Sequence, residues 1–98
     1  MEAIGTVYLY RNVQNGKVYV GQTSQPLEKR HNEHVHASRK LKDRMSFHRA
    51  LRKHGPEGFE LVPLATALTR EALDDLEKLF IAQFNANDKR KGQGQWQR

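Results

Sequence analysis

The chain contains no cysteine among its 98 residues, which excludes disulfides, thiol nucleophiles and thiolate metal sites. It also lacks any apolar run near the roughly 20 residues that a membrane-spanning helix needs. Its first ten residues, MEAIGTVYLY, do not show the basic and then apolar pattern of a secretory signal peptide. We therefore expect one small domain in the cytoplasm, with no membrane partner.

Negative charge is scarce in one part of the chain and concentrated in the next. Residues 29–54 carry nine Lys or Arg, only two acids and all five histidines. Residues 57–77 carry six acids and one arginine, while the net charge of the whole chain is +6. This polarised charge indicates one basic face, which on a small domain favours a polyanionic partner, most often nucleic acid. A basic protein without a charged ligand is the alternative that composition leaves open.

The N-terminal part of the chain has the pattern of a β-hairpin. Alternation over residues 5–11 and 18–21 predicts two strands, and Asn15-Gly16 predicts a two-residue turn that needs positive φ at both positions. That turn places Tyr19 opposite Asn12. Side chains alternate with period two, so the phenols should share one face of the sheet and the aliphatic side chains the other. The two predicted sets are Tyr8, Tyr10, Asn12 and Tyr19, and Val7, Leu9, Val18 and Val20.

Three helices and one more strand follow in the predicted order. The first helix begins near Pro26, with Thr23 or Ser24 as its cap. Asp43 caps the second helix, which stops at Gly55-Pro56, and Thr69 caps the third. The third helix has the strongest apolar stripe, formed by Leu73, Leu76, Phe80 and Phe84.

The third strand is predicted over residues 59–68, where Pro63 marks either an edge strand or the strand's end. The element order is therefore β-β-α-α-β-α. It indicates an α+β fold in which a small three-stranded antiparallel sheet is flanked by three helices. We expect the folded domain to cover residues 1–86 and a basic, loosely ordered tail to cover residues 87–98.

Several motifs, taken together in order, resemble the GIY-YIG nucleases. TVYLY and VYVG are similar to the paired motif that names the family, with eleven residues from Tyr8 to Tyr19. LEKRHNEH resembles the family's helix with an essential arginine, here Arg30, and a histidine one turn later, here His34. FHRALRKHG resembles a segment of phage-type homing endonucleases, and LEKLFI the late helix with a metal-binding glutamate, here Glu77. The resemblance covers roughly residues 5–85.

This resemblance implies a GIY-YIG fold and a metal-dependent endonuclease that hydrolyses DNA. It assigns Glu77 as the ligand of a single Mg²⁺, for which Mn²⁺ substitutes, and Arg30 as the phosphate-binding residue. Tyr19 then orients or deprotonates the attacking water, and Tyr8 positions that water or the phosphate. A phenol is a poor base at neutral pH, so a nearby cation must favour the phenolate, and His34 can relay the proton.

The chain departs from the family pattern at three places. The first motif begins Thr-Val-Tyr rather than Gly-Ile-Tyr. Many relatives have a second histidine after the first helix, at a position that Lys42 takes here. The family's late Gly-Tyr-Asn run is missing, which leaves Asn85 or Asn87 as candidates for the final asparagine.

The basic residues of the central segment are candidates for a surface that follows a phosphate backbone. No base-reading module is evident in the sequence. Such a domain cuts with little specificity, reads DNA structure, or depends on a dimer or a separate targeting partner. The candidate DNA-binding residues are Lys17, Arg39, Lys40, Lys42, Arg44, Arg49, Arg52 and Lys53.

Three other interpretations compete with a nuclease. A nucleic-acid-binding module of the same fold without cleavage is the strongest, and a small basic structural protein is the next. A zinc site on His31, His34 and His36 is the weakest, because His36 points elsewhere on the helix and no cysteine or nearby acid completes a tetrahedral set.

Overall fold

The computed structural model describes residues 3–40 and 45–87, and its elements confirm the predicted α+β order. Lys42, Asp43 and Arg44 lie outside the described residues, as does the predicted tail from residue 88 onward. Within the described ranges, no helix combines the length and hydropathy needed to cross a bilayer. The elements are β1 (Gly5–Asn12), β2 (Val18–Thr23), α1 (Leu27–Ser38), α2 (Ser46–His54), a 3₁₀ turn (Pro56–Gly58), β3 (Phe59–Ala67) and α3 (Arg70–Asn87).

The antiparallel sheet has the strand order β2-β1-β3, and helices cover both of its faces. Helix α3 packs on one face, and α1 and α2 pack on the other. The predicted separation of aliphatic and phenolic side chains is confirmed, because the pleat sends alternate residues to opposite sides. We call the first side the aliphatic face; its buried members are Val7, Leu9, Val18, Val20, Ala67 and Leu73. We call the second side the phenol face; its buried members are Tyr8, Tyr10, Tyr19, Phe47 and Leu51.

The hairpin register differs from the prediction by two residues. Tyr19 pairs with Tyr10 rather than with Asn12, and a four-residue loop replaces the two-residue turn. Among the described residues only glycines have positive φ, so Asn15 does not adopt the conformation that the shorter turn requires. Instead, Asn12 Oδ1 accepts hydrogen bonds from the backbone N–H groups of Gln14 and Asn15 at 2.8 and 3.3 Å. A shift of two keeps every side chain on its predicted face.

Strand β3 lies at the edge of the sheet, as Pro63 predicted. Pro63 pairs with Tyr8, and the register shifts between Val7 and Tyr8, so the proline lies beside a bulge. A proline has no N–H to donate, and a bulge at an edge strand is a position where that loss is tolerated.

Of the three predicted helix caps, that of α3 is confirmed and those of α1 and α2 are wrong, since α2 begins after Met45 without a side-chain cap. Thr69 Oγ1 accepts the backbone N–H of Ala72 at 3.1 Å and caps α3. Helix α1 instead begins after Pro26 without a side-chain cap. Thr23 Oγ1 accepts from Gln25 N at 3.0 Å, so it stabilises the turn before the helix rather than the helix itself.

Candidate active site

Tyr8 and Tyr19 lie on adjacent strands of the phenol face, where both side chains are buried. Their ring centroids are 6.4 Å apart. Gly21 makes this arrangement possible, because a Cβ at that position would lie 2.7 Å from Tyr8 Cζ and from Tyr8 Oη. The glycine of the VYVG motif therefore leaves room for the Tyr8 hydroxyl, which a larger residue would displace.

Arg30 extends from α1 to the same hydroxyl. Its guanidinium hydrogen-bonds Tyr8, and Arg30 Nη1 donates to Glu33 Oε1 at 3.1 Å. Burial lowers the pKa of Arg30, but the hydrogen bonds to Tyr8 and Glu33, together with the charge interactions with Tyr8 and Tyr19, outweigh this effect and raise the pKa above its usual value. The Arg30 side chain remains 35% exposed, so part of this cation can meet a ligand from solvent.

His34 completes the polar contacts of Tyr8 from the next turn of α1. The Tyr8 hydroxyl lies 2.7 Å from His34 Nε2, and His34 is buried. The other ring nitrogen, His34 Nδ1, lies 2.7 Å from Nε2 of His48 on α2. Sequence reasoning missed His48, since a contact between residues 14 apart on two helices leaves no local pattern.

Tyr10 and His31 form a second phenol–imidazole pair beside the first. The Tyr10 hydroxyl lies 2.7 Å from His31 Nδ1, and the two rings are stacked with centroids 5.8 Å apart. Burial raises the pKa of Tyr10 well above its usual value, and the neighbouring Tyr8 raises it further. His36 is exposed, so the three histidines considered for zinc do not converge. Within the described ranges no cluster of three or more His, Cys, Asp or Glu is suited to a metal ion.

Glu77 belongs to α3 and approaches the site from the other side of the sheet. Its carboxylate is buried and accepts a hydrogen bond from Gln22 Nε2 at 3.2 Å. The same amide donates to Asp74 Oδ1 at 2.8 Å, so two carboxylates meet at one side chain of β2. Gln22 and Asp74 are further residues that the sequence alone did not single out, although Asp74 and Glu77 are three apart on one helix face.

The two sides of the sheet meet at a polar pocket at the end of β2. Its volume is about 300 Å³. Arg30 and Glu33 reach it from α1, Gln22 reaches it from β2, and Arg70 reaches it from α3. The pocket therefore places the exposed part of Arg30 next to Gln22, the residue that contacts Glu77. The complete lining is Gln22, Thr23, Ser24, Gln25, Arg30, Glu33 and Arg70.

A second, more basic pocket lies between the hairpin loop and α2. Its volume is about 460 Å³, and it brings together four of the eight candidate DNA-binding residues: Lys17, Arg49, Arg52 and Lys53. We call this pocket the basic groove. Arg39 and Lys40 are exposed just after α1, and Arg52 Nη1 donates to the Lys40 carbonyl at 3.1 Å. Asn85 and Asn87 belong to the last turn of α3, and Lys42 and Arg44 lie outside the described residues.

Comparison with known proteins agrees with this fold. The profile of the GIY-YIG catalytic domain matches residues 4–91. A glutamate-to-alanine mutant of the catalytic domain of intron endonuclease I-TevI superposes with a TM-score of 0.72 at 26% identity, over 83% of this chain and 84% of that one. A second structure of that catalytic domain gives a TM-score of 0.64 at 23% identity, over 85% of this chain and 90% of the other.

A viral protein is similar in sequence. The uncharacterized protein 019R of Invertebrate iridescent virus 6 is 36% identical over 85 residues, which cover 85% of this chain and 30% of the viral protein. The chain thus spans less than a third of that relative's length.

The fold and the matching family profile define a catalytic domain of the endonuclease class. The chain belongs to the GIY-YIG family, whose profile matches nearly its whole length.

Proposed function

We propose that this domain hydrolyses DNA phosphodiester bonds in a metal-dependent reaction. The observation that carries the proposal is the buried contact of Tyr8 with both Arg30 and His34, beside a polar pocket that opens to solvent. A buried phenol held by a cation and an imidazole is costly to build for stability alone. The structural match to the catalytic domain of an intron endonuclease supports cleavage of nucleic acid as the purpose of such a site.

Arg30 is the proposed phosphate-binding residue. Its planar guanidinium matches two phosphate oxygens at once, and its exposed part faces the polar pocket. In the structure, Glu33 accepts a hydrogen bond from this guanidinium. A phosphate can bind the remaining donors of Arg30 or replace Glu33 as its partner, while the arginine stays beside Tyr8.

Tyr8 and Tyr19 are the proposed phenols for water activation. The cation of Arg30 favours the phenolate of Tyr8, and the 2.7 Å contact to His34 offers a direct acceptor for its proton. Tyr19 lies on the neighbouring strand and orients the attacking water. The sequence assigned the deprotonating role to Tyr19, whereas the hydrogen bond to His34 favours Tyr8.

The oxygen-rich end of the site fits a divalent ion such as Mg²⁺. Glu77 and Asp74 direct carboxylate oxygens at the same amide of Gln22, and no sulfur ligand from cysteine exists in this chain. A small number of protein ligands is sufficient for Mg²⁺, because the ion keeps several waters and substrate phosphate often completes its coordination shell. We propose that Glu77 holds the ion, with Mn²⁺ as a substitute. A bound ion supplies charge that stabilises the leaving 3′-oxygen.

The basic groove is the proposed DNA-binding surface, and Arg39 and Lys40 lie beyond its lining on the same basic segment. Four cations around one concave surface suit the phosphate backbone, which gives affinity without reading sequence. A separate targeting partner, a dimer, or further parts of a longer protein can supply specificity. The viral relative has further residues beyond the matched segment, which covers 30% of its length.

Cleavage of circular DNA tests the proposal directly. Supercoiled plasmid and single-stranded circles are incubated with the purified protein and Mg²⁺, Mn²⁺ or EDTA. We expect nicking with either metal and none with EDTA. Glu77→Ala and Tyr19→Phe should lower the rate by about 100-fold or more, since each removes a group that acts in the transition state.

Glu71→Ala is the matched control, because Glu71 is an exposed carboxylate in the first turn of the same helix. It should cut at the wild-type rate. DNA binding without cleavage by the wild-type protein would exclude the nuclease and favour the non-cleaving module. The burial of both phenols is the observation that favours this second candidate. Cleavage that survives Glu77→Ala would remove Glu77 from the metal site.

A further inference from the structure

The polar network of Tyr8 does not end at His34. His34 Nδ1 lies 2.7 Å from Nε2 of His48, and both histidines are buried, with exposures of 1% and 7%. The three groups form a continuous chain from the sheet through α1 to α2. We propose that His48 is a positioning residue, which holds His34 in the tautomer whose Nε2 accepts the hydroxyl proton of Tyr8. The catalytic consequence of this tautomer rests on the proposed nuclease function, but the tautomer itself does not.

The direction of the hydrogen bonds follows from the chemistry of Arg30. A guanidinium has five donors and no acceptor, so its hydrogen bond to Tyr8 uses an oxygen lone pair of the phenol. The single hydroxyl proton can then be donated to His34 Nε2, which is 2.7 Å away. His34 therefore accepts at Nε2.

A neutral imidazole carries one proton on one of its two nitrogens. If Nε2 accepts from Tyr8, the proton of His34 is on Nδ1, where it needs an acceptor at hydrogen-bond distance. Nε2 of His48 is that acceptor. Neutral histidine in water prefers the proton on Nε2, so the Nδ1 form of His34 needs a specific partner to be the main one.

Phe47 fixes the geometry of both rings. It packs edge-on against His34 with centroids 5.4 Å apart, and its centroid lies 5.7 Å from that of His48. Phe47 is fully buried and adjacent to His48 on α2. The helix thus places the apolar wall and the hydrogen-bond acceptor together, which restricts rotation of the His34 ring.

Loss of His48 should change the tautomer before it changes the fold. With leucine at position 48, the Nδ1 proton of His34 loses this acceptor, and a proton on Nε2 becomes the better state. In that state the O–H of Tyr8 and the Nε2–H of His34 are two donors that face each other. The Tyr8 proton then has no acceptor at His34. With glutamine, the side-chain carbonyl oxygen accepts as Nε2 does, so His48→Gln should keep the tautomer.

Nitrogen NMR of the imidazole rings provides the first test, because protonated and unprotonated ring nitrogens have well-separated shifts. We expect His34 of the wild type and of His48→Gln to carry its proton on Nδ1, and His48→Leu to shift toward Nε2. A proton on Nε2 of His34 in the wild type would overturn the proposal. This readout requires no cleavage activity. If His48→Leu does not fold, the wild type and His48→Gln still decide the question.

Cleavage kinetics provide the second test. His48→Leu should lower kcat about 10- to 100-fold, by analogy with the loss that follows removal of the hydrogen-bond partner of a metal-binding histidine, with little change in KM. His48→Gln should recover most of the rate. His36→Leu is the matched control, since His36 is exposed on the same helix as His34. An unchanged kcat in His48→Leu would contradict the proposal, whereas absence of cleavage by the wild type would contradict the proposed function and leave the NMR result standing.

Discussion

The two faces of the sheet are both buried, but they use that burial in different ways. The aliphatic face joins Val, Leu and Ala side chains to the apolar stripe of α3. The phenol face instead buries three tyrosines, and the hydroxyls of Tyr8 and Tyr10 are hydrogen-bonded to histidines of α1. Burying polar groups costs stability unless each is satisfied, whereas burying aliphatic groups is favourable directly. The difference is consistent with the proposal that one face mainly stabilises the fold and the other carries the catalytic side chains.

Arg30→Ala should have a large effect on activity, because it removes the only side-chain cation assigned to the scissile phosphate. We expect the cleavage rate to fall about 10²- to 10³-fold, the usual result of deleting one charge-stabilising donor. Arg30→Lys should recover little, since an ammonium lacks the planar fork. Rates on plasmid DNA check this, with Lys29→Ala, an exposed neighbour, as the control. A rate loss in Lys29→Ala equal to that in Arg30→Ala would mean that net charge matters and the site does not.

Leu73→Ala, on the aliphatic face, should lower the stability of the fold without lowering the cleavage rate of the folded protein. Leu73 is fully buried, so its truncation should lower the free energy of unfolding by about 2–5 kcal/mol. The fraction that remains folded should cleave at the wild-type rate. Urea denaturation and the specific activity below the unfolding transition measure both quantities. Leu79→Ala on the same helix is the control, since Leu79 is 60% exposed and should change stability by less than about 0.5 kcal/mol.

Arg49→Ala should have a smaller effect, which is visible in the salt dependence of DNA binding. If Arg49 contacts one phosphate from the basic groove, its loss should reduce the slope of log K against log salt by about 0.9. Arg11→Ala removes the same charge from the exposed surface of β1 and should leave the slope unchanged. Equal slopes for wild type and Arg49→Ala would exclude the groove as the phosphate contact.

The titration of Tyr10 should produce the smallest effect, a change in stability that occurs only at alkaline pH. Its pKa is raised in the folded protein, so its contribution to stability is complete below the ordinary phenol pKa of 10.0. Above that pH the unfolded chain loses the proton first, and stability should fall by about 1.4 kcal/mol per pH unit for this group. Tyr10→Phe should remove this part of the decline. Denaturation curves at about pH 9, 10 and 11, on either side of the ordinary phenol pKa, check it, and identical slopes in both proteins would contradict it.

The sequence predicted the faces of the hairpin but not its register. Val7 and Tyr8 were placed on opposite sides correctly because alternation depends only on the pleat, and a shift of two residues preserves it. The prediction of a two-residue turn was wrong because Asn12 accepts hydrogen bonds from two backbone N–H groups and so closes a longer loop. Such side-chain contacts compete with the turn that an Asn-Gly pair favours.

The candidate site was likewise predicted in part. The order of motifs was enough to name Tyr8, Arg30, His34 and Glu77, and the structure joins the first three directly. His48 and Gln22 could not be found this way. Each is selected by tertiary packing, His48 by the approach of α2 to α1 and Gln22 by the approach of β2 to α3.

The most direct test compares two phenols of the same face. Tyr8 and Tyr10 are both buried, and each hydroxyl lies 2.7 Å from a histidine nitrogen. Tyr10→Phe should cost about 1 kcal/mol of stability, the net value of one hydrogen bond, and Tyr8→Phe about 2 kcal/mol, because Tyr8 contacts both His34 and Arg30. Only Tyr8→Phe should lower the cleavage rate, by about 10²- to 10⁴-fold, as expected for loss of a general acid–base group. Equal rates in the two variants would contradict the assignment of the chemistry to Tyr8.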